Sequence, residues 1–179
     1  MAFYEFEGKL PVVDTEAFVH PEATLIGDVR IAGGCYIGTG AVLRGDIGSV
    51  IIEAGSNVQE NCVIHTFPDK VTYLHANTHI GHGSILHGCE ICSHVLIGMG
   101  SIIADNVKIN IECIVGAGSL LLFGTEIPPR SVVMGSPAQI TGAIRPEQIE
   151  DIQKSLAIYQ SLAQRHKQSL RKIGGMAST

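Results

Sequence analysis

An aliphatic residue recurs every six positions along most of this chain, and this repeat limits the possible fold more than any other feature. The repeat is interrupted after residue 64 and its phase shifts three times. The recurring residues are Val19, Leu25, Ile31, Ile37, Leu43, Ile52, Val58, Ile64, Ile80, Leu86, Ile91, Ile97, Ile103, Ile109, Val115, Leu121, Ile127 and Val133.

A period of six cannot arise from an α-helix, and an isolated amphipathic strand would repeat every two residues. Six residues fit one short strand and one turn, and three such units close a triangular coil. The next coil then lies about 4.8 Å above, at the usual strand spacing. Small residues four positions after the aliphatic residue, such as Cys35, Cys62 and Cys113, fit the corners. The sequence therefore predicts an all-β fold, a parallel β-helix of about six coils over residues 1–140.

A different pattern begins at Pro146, where proline suits the first turn of a helix. Apolar residues follow at intervals of three or four from Ile149 to Leu170, which predicts an amphipathic helix over residues 146–172. The polar tail over residues 173–179, which starts near Gly174, is predicted to be disordered.

Composition excludes several classes of function. The net charge of -5 and the lack of a basic stripe give no reason to expect nucleic-acid binding. No apolar run approaches the roughly 20 residues of a membrane span, and the first ten residues do not resemble a secretory signal. Five cysteines, an odd number, argue against a disulfide framework, so we expect a reduced, cytoplasmic protein.

Three of the eight histidines are arranged in a way that suggests a site. His65 and His87 each follow their aliphatic residue by one position, and the repeat phase stacks Ile64 and Leu86 on one face. The two histidines should therefore point outward in one column, one coil apart, with Arg44 one coil below. His82 and Gln59 should lie on a different face.

A trimer would bring one face of each prism against a different face of its neighbour. His82 of one chain could then complete a site with His65 and His87 of the next, which predicts a homotrimer. Three neutral imidazoles and a water are the ligands of a catalytic zinc ion, and ferrous iron or cobalt also suits imidazole.

The repeat resembles that of the hexapeptide-repeat proteins over roughly residues 12–140, and the histidines closely resemble those of the γ-class carbonic anhydrases. The first resemblance implies a left-handed β-helix, a hand that the spacing alone does not establish. The second implies a zinc ion held across a trimer interface. Two further segments match motifs of the carbonic anhydrases, namely Leu43-Arg44-Gly45-Asp46 and Ser56-Asn57-Val58-Gln59-Glu60.

The resemblance also implies roles for these residues. Arg44 and Asp46 would form an ion pair across the interface, and Gln59 would orient the metal-bound water with Asn57 and Glu60 nearby. Tyr159 would match an active-site tyrosine of that family. The implied reaction is reversible hydration of CO2 to bicarbonate by a metal-bound hydroxide.

One departure from the family affects the expected rate. The family's archetypal enzyme carries proton-shuttling glutamates in a loop, whereas the segment from Asp46 to Val50 here is short and contains no glutamate. We therefore expect weak or buffer-dependent hydration, unless His75 or His79 replaces the shuttle.

Other functions remain open at this stage. Phe67-Pro68 and Leu86-His87-Gly88-Cys89 resemble segments of the members linked to phenylacetate catabolism and the carnitine operon, which implies a metal-dependent acyl-CoA thioesterase. A hexapeptide acyltransferase would instead use a histidine as general base without metal, and a non-catalytic metal-storage or assembly protein is a further alternative. His75, His79 and His94 are expected at the surface, and lining the mouth of the site is the alternative for His79 and His94. Cys89 and Cys92 are expected to pack.

Overall fold

Short parallel strands wind into a triangular prism, as the repeat predicts. The computed structural model describes residues 2–174, so residues 175–179 of the predicted disordered tail lie outside the described residues. The elements are β1 (Ala2–Tyr4), β2 (Val12–Val13), β3 (Phe18–Val19), β4 (Thr24–Ile31), β5 (Tyr36–Ile37), β6 (Val42–Ile52), β7 (Asn57–Val58), β8 (Val63–His65), β9 (Val71–Leu74), β10 (His79–Ile80), β11 (Ile85–His87), β12 (Glu90–Ile91), β13 (Leu96–Ile97), β14 (Ile102–Ile103), β15 (Lys108–Ile109), β16 (Ile114–Val115), β17 (Leu120–Leu121), β18 (Glu126–Ile127), β19 (Ser131–Gly135), β20 (Ala138–Ala143) and α1 (Pro146–Ser169).

The prism has three faces. The helix face stacks β3, β5, β7, β10, β13, β16 and β19, and the antiparallel β20 closes it. The histidine face stacks β1, the first halves of β4 and β6, and then β8, β11, β14 and β17. The third face stacks β2, the second halves of β4 and β6, and then β9, β12, β15 and β18. The fold is thus a parallel β-helix of about seven turns, one more than expected, and it matches the left-handed β-helix architecture.

Stacked aliphatic side chains fill the prism. Leu43 lies opposite Ile64, which in turn lies opposite Leu86, and all three are completely buried. Burial of one such side chain stabilises the fold by roughly 1.5–3 kcal/mol. At the corners, small polar side chains satisfy backbone carbonyls, as Ser84 does when its hydroxyl donates to Gly98 O at 3.1 Å.

The interruption after Ile64 was expected to be a loop from Phe67 to His79, but it contains β9. Leu74 of this strand stacks between Ile52 and Ile91 and is completely buried. The third face therefore continues without a gap, and only its six-residue spacing is lost.

Helix α1 ends at Ser169, three residues before the predicted end. It packs on the helix face through two clusters. Ile152 and Leu156 contact Val132 and Ile144 of the last turn, whereas Ala163 contacts Phe18 and Tyr36 of the first turns. The helix therefore runs back along the whole prism. Among residues 2–174, no helix combines the length and apolarity needed to cross a membrane.

Candidate functional site

The repeat positions two histidines side by side on the histidine face. His65 in β8 and His87 in β11 are partners in the parallel register, and their neighbours Ile64 and Leu86 point into the core. Because side chains alternate along a strand, both imidazoles point outward. His65 Nδ1 lies 3.1 Å from His87 Nε2, and an Arg44 Nη2 lies 3.1 Å from His65 Nε2.

A carboxylate contacts each of these imidazoles. Asp46 Oδ1 lies 3.0 Å from His65 Nε2, and Asp46 Oδ2 lies 3.5 Å from Arg44 Nη1 within the same chain. Burial opposes the charge on Asp46, but hydrogen bonds from His65 and the Ile47 N–H outweigh it, so the pKa of Asp46 is below its usual value. On the other side, Asp105 contacts His87 Nδ1.

Asp105 was not anticipated from the sequence. It lies in the turn one coil above Gly88, and a Cβ atom on Gly88 would come within 2.3 Å of Asp105 Oδ1. Gly88 also has a positive φ of 55°, which favours glycine. Glycine at this position therefore leaves the space in which the Asp105 carboxylate reaches His87.

Two further side chains support the pair of histidines. The Phe67 ring packs edge-on against His87, with ring centroids 5.0 Å apart. The Thr72 hydroxyl donates to His65 O at 2.6 Å and accepts from Gly88 N–H at 2.9 Å, and Thr72 is completely buried. These contacts link β9 to the backbone that carries both histidines.

A second polar cluster lies on the helix face. The Gln59 amide nitrogen donates to Asn57 Oδ1 at 3.1 Å and lies 2.7 Å from His79 Nε2. Asn57 and Gln59 are buried, and His79 is only 9% exposed. Burial lowers the pKa of His79 to about 4, with a further contribution from His82. The expectation that His79 lies at the surface was wrong, because α1 covers this face.

His82 lies beside this cluster and is 46% exposed. Its Nδ1 lies 2.5 Å from Glu60 Oε2, and the Tyr36 hydroxyl donates to Glu60 Oε1 at 3.0 Å. Glu60 therefore orients the His82 ring and leaves Nε2 facing away from the carboxylate.

A cleft of about 340 Å³ opens between the helix face and α1. Gln59, His79, His82 and Tyr159 form its polar wall, and apolar side chains such as Leu96 and Ile158 form the rest. The Tyr159 ring packs edge-on against His79, with centroids 5.4 Å apart. Burial raises the pKa of Tyr159, and the nearby Glu60 raises it further.

One chain thus brings the predicted site residues together in two clusters. Arg44, Asp46, His65 and His87 meet on the histidine face, and the remaining predicted residues, Asn57, Gln59, Glu60, His82 and Tyr159, gather around the cleft on the helix face. His82 belongs to the second cluster, as the repeat phase predicts.

Neither residue suggested as a replacement proton shuttle suits that role. His79 is buried with a pKa of about 4, so it stays neutral at physiological pH. His75 follows β9 on the third face, away from both clusters. Strand β6 passes directly from Asp46 to Ser49 without a loop, which agrees with the short segment read from the sequence.

Comparison with known proteins gives the family. The carnitine operon protein CaiE of Salmonella agona is 45% identical to this chain over 170 residues, which are 95% of this chain and 86% of CaiE. The chain belongs to the hexapeptide-repeat family that includes CaiE. No family model matches the chain.

Two solved structures closely resemble the structure of this chain. A Bacillus cereus protein provisionally described as an acetyltransferase is 34% identical, with a TM-score of 0.91 over 93% of this chain and 96% of the other. A hexapeptide transferase family protein from Anaplasma phagocytophilum is 34% identical, with a TM-score of 0.88 over 92% of this chain and 98% of the other. These likenesses agree with a hexapeptide-repeat protein of the transferase type and do not single out the γ-class carbonic anhydrases.

Proposed function

We propose that this protein is a metal-dependent enzyme that hydrates CO2 reversibly at a site shared between two chains of a homotrimer. His65 and His87 of one chain and His82 of the next would hold the metal. The observation that carries this proposal is that a carboxylate contacts one ring nitrogen of each histidine, namely Asp46, Asp105 and Glu60.

This arrangement is typical of metal-binding histidines, since a carboxylate fixes the ring orientation and makes the other nitrogen a better ligand. The spacing of the donor atoms also fits. Two nitrogens bound to one tetrahedral zinc at 2.0–2.1 Å lie about 3.3 Å apart, and His65 Nδ1 and His87 Nε2 are 3.1 Å apart.

The other residues would bind and orient the reactants. Asn57 and His79 hold the amide nitrogen of Gln59. The carbonyl oxygen of Gln59 can therefore accept a hydrogen bond from a group in the cleft. The apolar walls around Leu96 and Ile158 suit an uncharged substrate such as CO2. Arg44 fixes Asp46, and through it His65. When bound, zinc, ferrous iron or cobalt would supply a Lewis acid that makes water nucleophilic near neutral pH.

Metal analysis of single variants tests the ligands. His65→Ala, His82→Ala and His87→Ala should each lose the metal of this site and keep the circular dichroism of the β-helix, because the aliphatic core does not include these rings. His20→Ala is the matched control and should keep its metal, because the His20 ring lies outside both clusters and accepts a hydrogen bond from Glu22 N–H at 3.1 Å. Full metal at this site in any of the three variants would contradict the assignment.

Stopped-flow assays test the reaction. We expect slow CO2 hydration whose kcat rises with imidazole buffer, because the segment from Asp46 to Val50 contains no shuttling glutamate and the low pKa of His79 keeps it neutral near pH 7. Fast hydration that does not depend on buffer would contradict this expectation.

Acyl transfer is the second candidate, and the names of the two similar structures favour it over CO2 hydration. In that case His82, oriented by Glu60, would act as a general base toward an acyl acceptor. Acetyl-CoA consumption that survives metal removal, is lost in His82→Ala and persists in His65→Ala would support this candidate. Loss of thioester cleavage on metal removal would instead indicate a metal-dependent thioesterase.

A further inference from the structure

The third face carries a cluster of metal-binding side chains that the proposed site does not use. The donor atoms of His75, Glu90 and Cys92 all lie within 4.8 Å of one another. We propose that these residues form a second metal site that binds zinc or a similar transition metal. This inference does not depend on the proposed function, because the two sites share no residue.

The repeat itself creates this cluster. Leu74 of β9 and Ile91 of β12 lie opposite each other and point into the core. Glu90 and Cys92, the two neighbours of Ile91, therefore point outward. His75 points outward as well, and its backbone N–H donates to Ile91 O at 2.9 Å. Three donors at the ends of two adjacent strands are thus presented on one side of the sheet.

A carboxylate also lies on the far side of the imidazole, just beyond hydrogen-bond distance. His75 Nε2 lies 3.0 Å from Glu90 Oε1, and Glu53 Oε2 lies 3.7 Å from the opposite nitrogen, Nδ1. Glu53 is itself fixed, since its Oε2 accepts from Ala76 N–H at 3.0 Å and its Oε1 contacts the Tyr73 hydroxyl. A metal on the Nε2 side would therefore find a histidine with a carboxylate behind it.

The donor set selects the class of metal. One imidazole, one thiolate and one carboxylate suit zinc and related transition metals, whereas calcium and magnesium prefer oxygen ligands alone. Lys108 Nζ lies 3.1 Å from Glu90 Oε2 and so places a competing positive charge beside the site. The side chains of His75 and Glu90 are 33% and 40% exposed, so a bound ion would remain accessible to solvent.

Cobalt binding to the reduced, metal-free protein tests the proposal. A cobalt ion at this site has a thiolate ligand and should give a thiolate-to-cobalt charge-transfer band, whereas a site of three histidines gives none. The band should vanish in Cys92→Ser and persist in Cys113→Ser. Cys113 is a suitable control because serine occupies the same corner in other turns, at Ser56 and Ser131. The band should also persist in the double variant His65→Ala/His87→Ala.

Affinities provide an independent readout. We expect His75→Ala and Glu90→Gln to weaken cobalt binding at least tenfold. Glu53→Gln should weaken it about tenfold while the charge-transfer band remains, because Glu53 acts through His75. Circular dichroism establishes whether each variant is folded. If Cys92→Ser does not fold, the loss of cobalt affinity in His75→Ala tests the proposal instead. Absence of the band in the wild type, or its persistence in folded Cys92→Ser, would overturn the proposal.

Discussion

The contact between Asp105 and His87 depends on a single hydrogen atom, the side chain of Gly88. Any Cβ there would lie 2.3 Å from Asp105 Oδ1, so a larger residue must displace the carboxylate. Three carboxylates contact the proposed ligands, namely Asp46, Glu60 and Asp105. Of these, Asp105 lies outside the segments that resemble the carbonic anhydrases. Substitution of Asp105 therefore tests directly whether His87 is oriented as a metal ligand.

We predict that Asp105→Asn binds metal at the shared site about 10–100 fold more weakly than the wild type, because His87 loses the carboxylate that orients it. Competition with a chromophoric chelator measures this affinity. Asp151→Asn on the exposed side of α1 is the control and should bind as the wild type does. Equal affinity in Asp105→Asn would show that the contact has no part in metal binding.

His79 should make stability depend on pH. Its folded pKa of about 4 lies below the ordinary 6.5, so the unfolded chain takes up the proton first as the pH falls. The contribution of neutral His79 is thus complete above pH 6.5 and is lost between pH 6.5 and about 4, by on the order of 3 kcal/mol. His79→Gln removes this group.

Urea denaturation of the metal-free wild type and His79→Gln at pH 7 and pH 4 checks this. The wild type should lose more stability on acidification than the variant does. Parallel loss in both proteins would mean that His79 is already protonated in the fold or titrates normally.

The residues of the site differ in how far the sequence could place them. The column of Arg44, His65 and His87 follows from strand register. The aliphatic residues before them stack on one another and so determine which outward side chains are neighbours. His79 also points out of the prism, next to the inward Ile80, yet it is buried because α1 packs over it. The local repeat gives no information on where a helix distant in sequence will pack. Asp105 follows Ile103 by two positions, as Gly88 follows Leu86, so strand register places it one coil above Gly88. Its contact with His87 depends on the reach of the side chain, which the repeat does not encode.

Among the elements, helix α1 packs on the prism through buried residues of both its halves, namely Ile152, Leu156 and Ala163, and leaves its other side exposed. Leu156 is 4% exposed and contacts the last turn, whereas Ile158, two residues later, is 64% exposed. We predict that Leu156→Ala lowers the free energy of unfolding by about 2–5 kcal/mol, since it leaves a cavity. Ile158→Ala should change it by less than about 0.5 kcal/mol.

Urea denaturation followed by circular dichroism compares the two variants, which remove similar aliphatic groups from one helix. Equal stability of both variants would show that α1 is not an integral part of the fold.

The elements were predicted unevenly. The parallel β-helix is confirmed, because an inward residue every six positions is compatible with few other backbones. Strand β9 was missed, since the segment around Val71 and Leu74 breaks the count although it fills the same place in the third face. Helix α1 starts at Pro146 as predicted, where Arg145 N–H also donates to the Gln148 side chain at 3.0 Å.

On the scale of the whole molecule, the two clusters of site residues lie on different faces, so the proposed site requires a second chain. We predict that His82→Ala chains regain metal and activity when they are refolded together with chains carrying His65→Ala and His87→Ala. One interface of a mixed trimer would unite an intact His65/His87 pair with an intact His82. Each parent alone should have no metal at this site.

Metal per trimer, measured after isolation of the mixed species, decides the outcome. Recovery in mixed trimers supports a shared site. Mixed trimers without metal would contradict it, because every intact ligand is present but on separate chains. Light scattering that gives a metal-loaded monomer of the wild type would contradict it as well.

The return of α1 along the prism has a consequence for how the chain folds during synthesis. Successive turns of the β-helix can form as they leave the ribosome, because each one contacts mainly the turn before it. The rings of Phe18 and Tyr36 become buried only later, because Ala163 of α1 covers them. The contact between Gln164 and Glu16 in the same region joins residues 148 positions apart. A nascent chain therefore exposes an aromatic pair until its last segment emerges, and a chain that stalls earlier offers that pair to chaperones or to its neighbours.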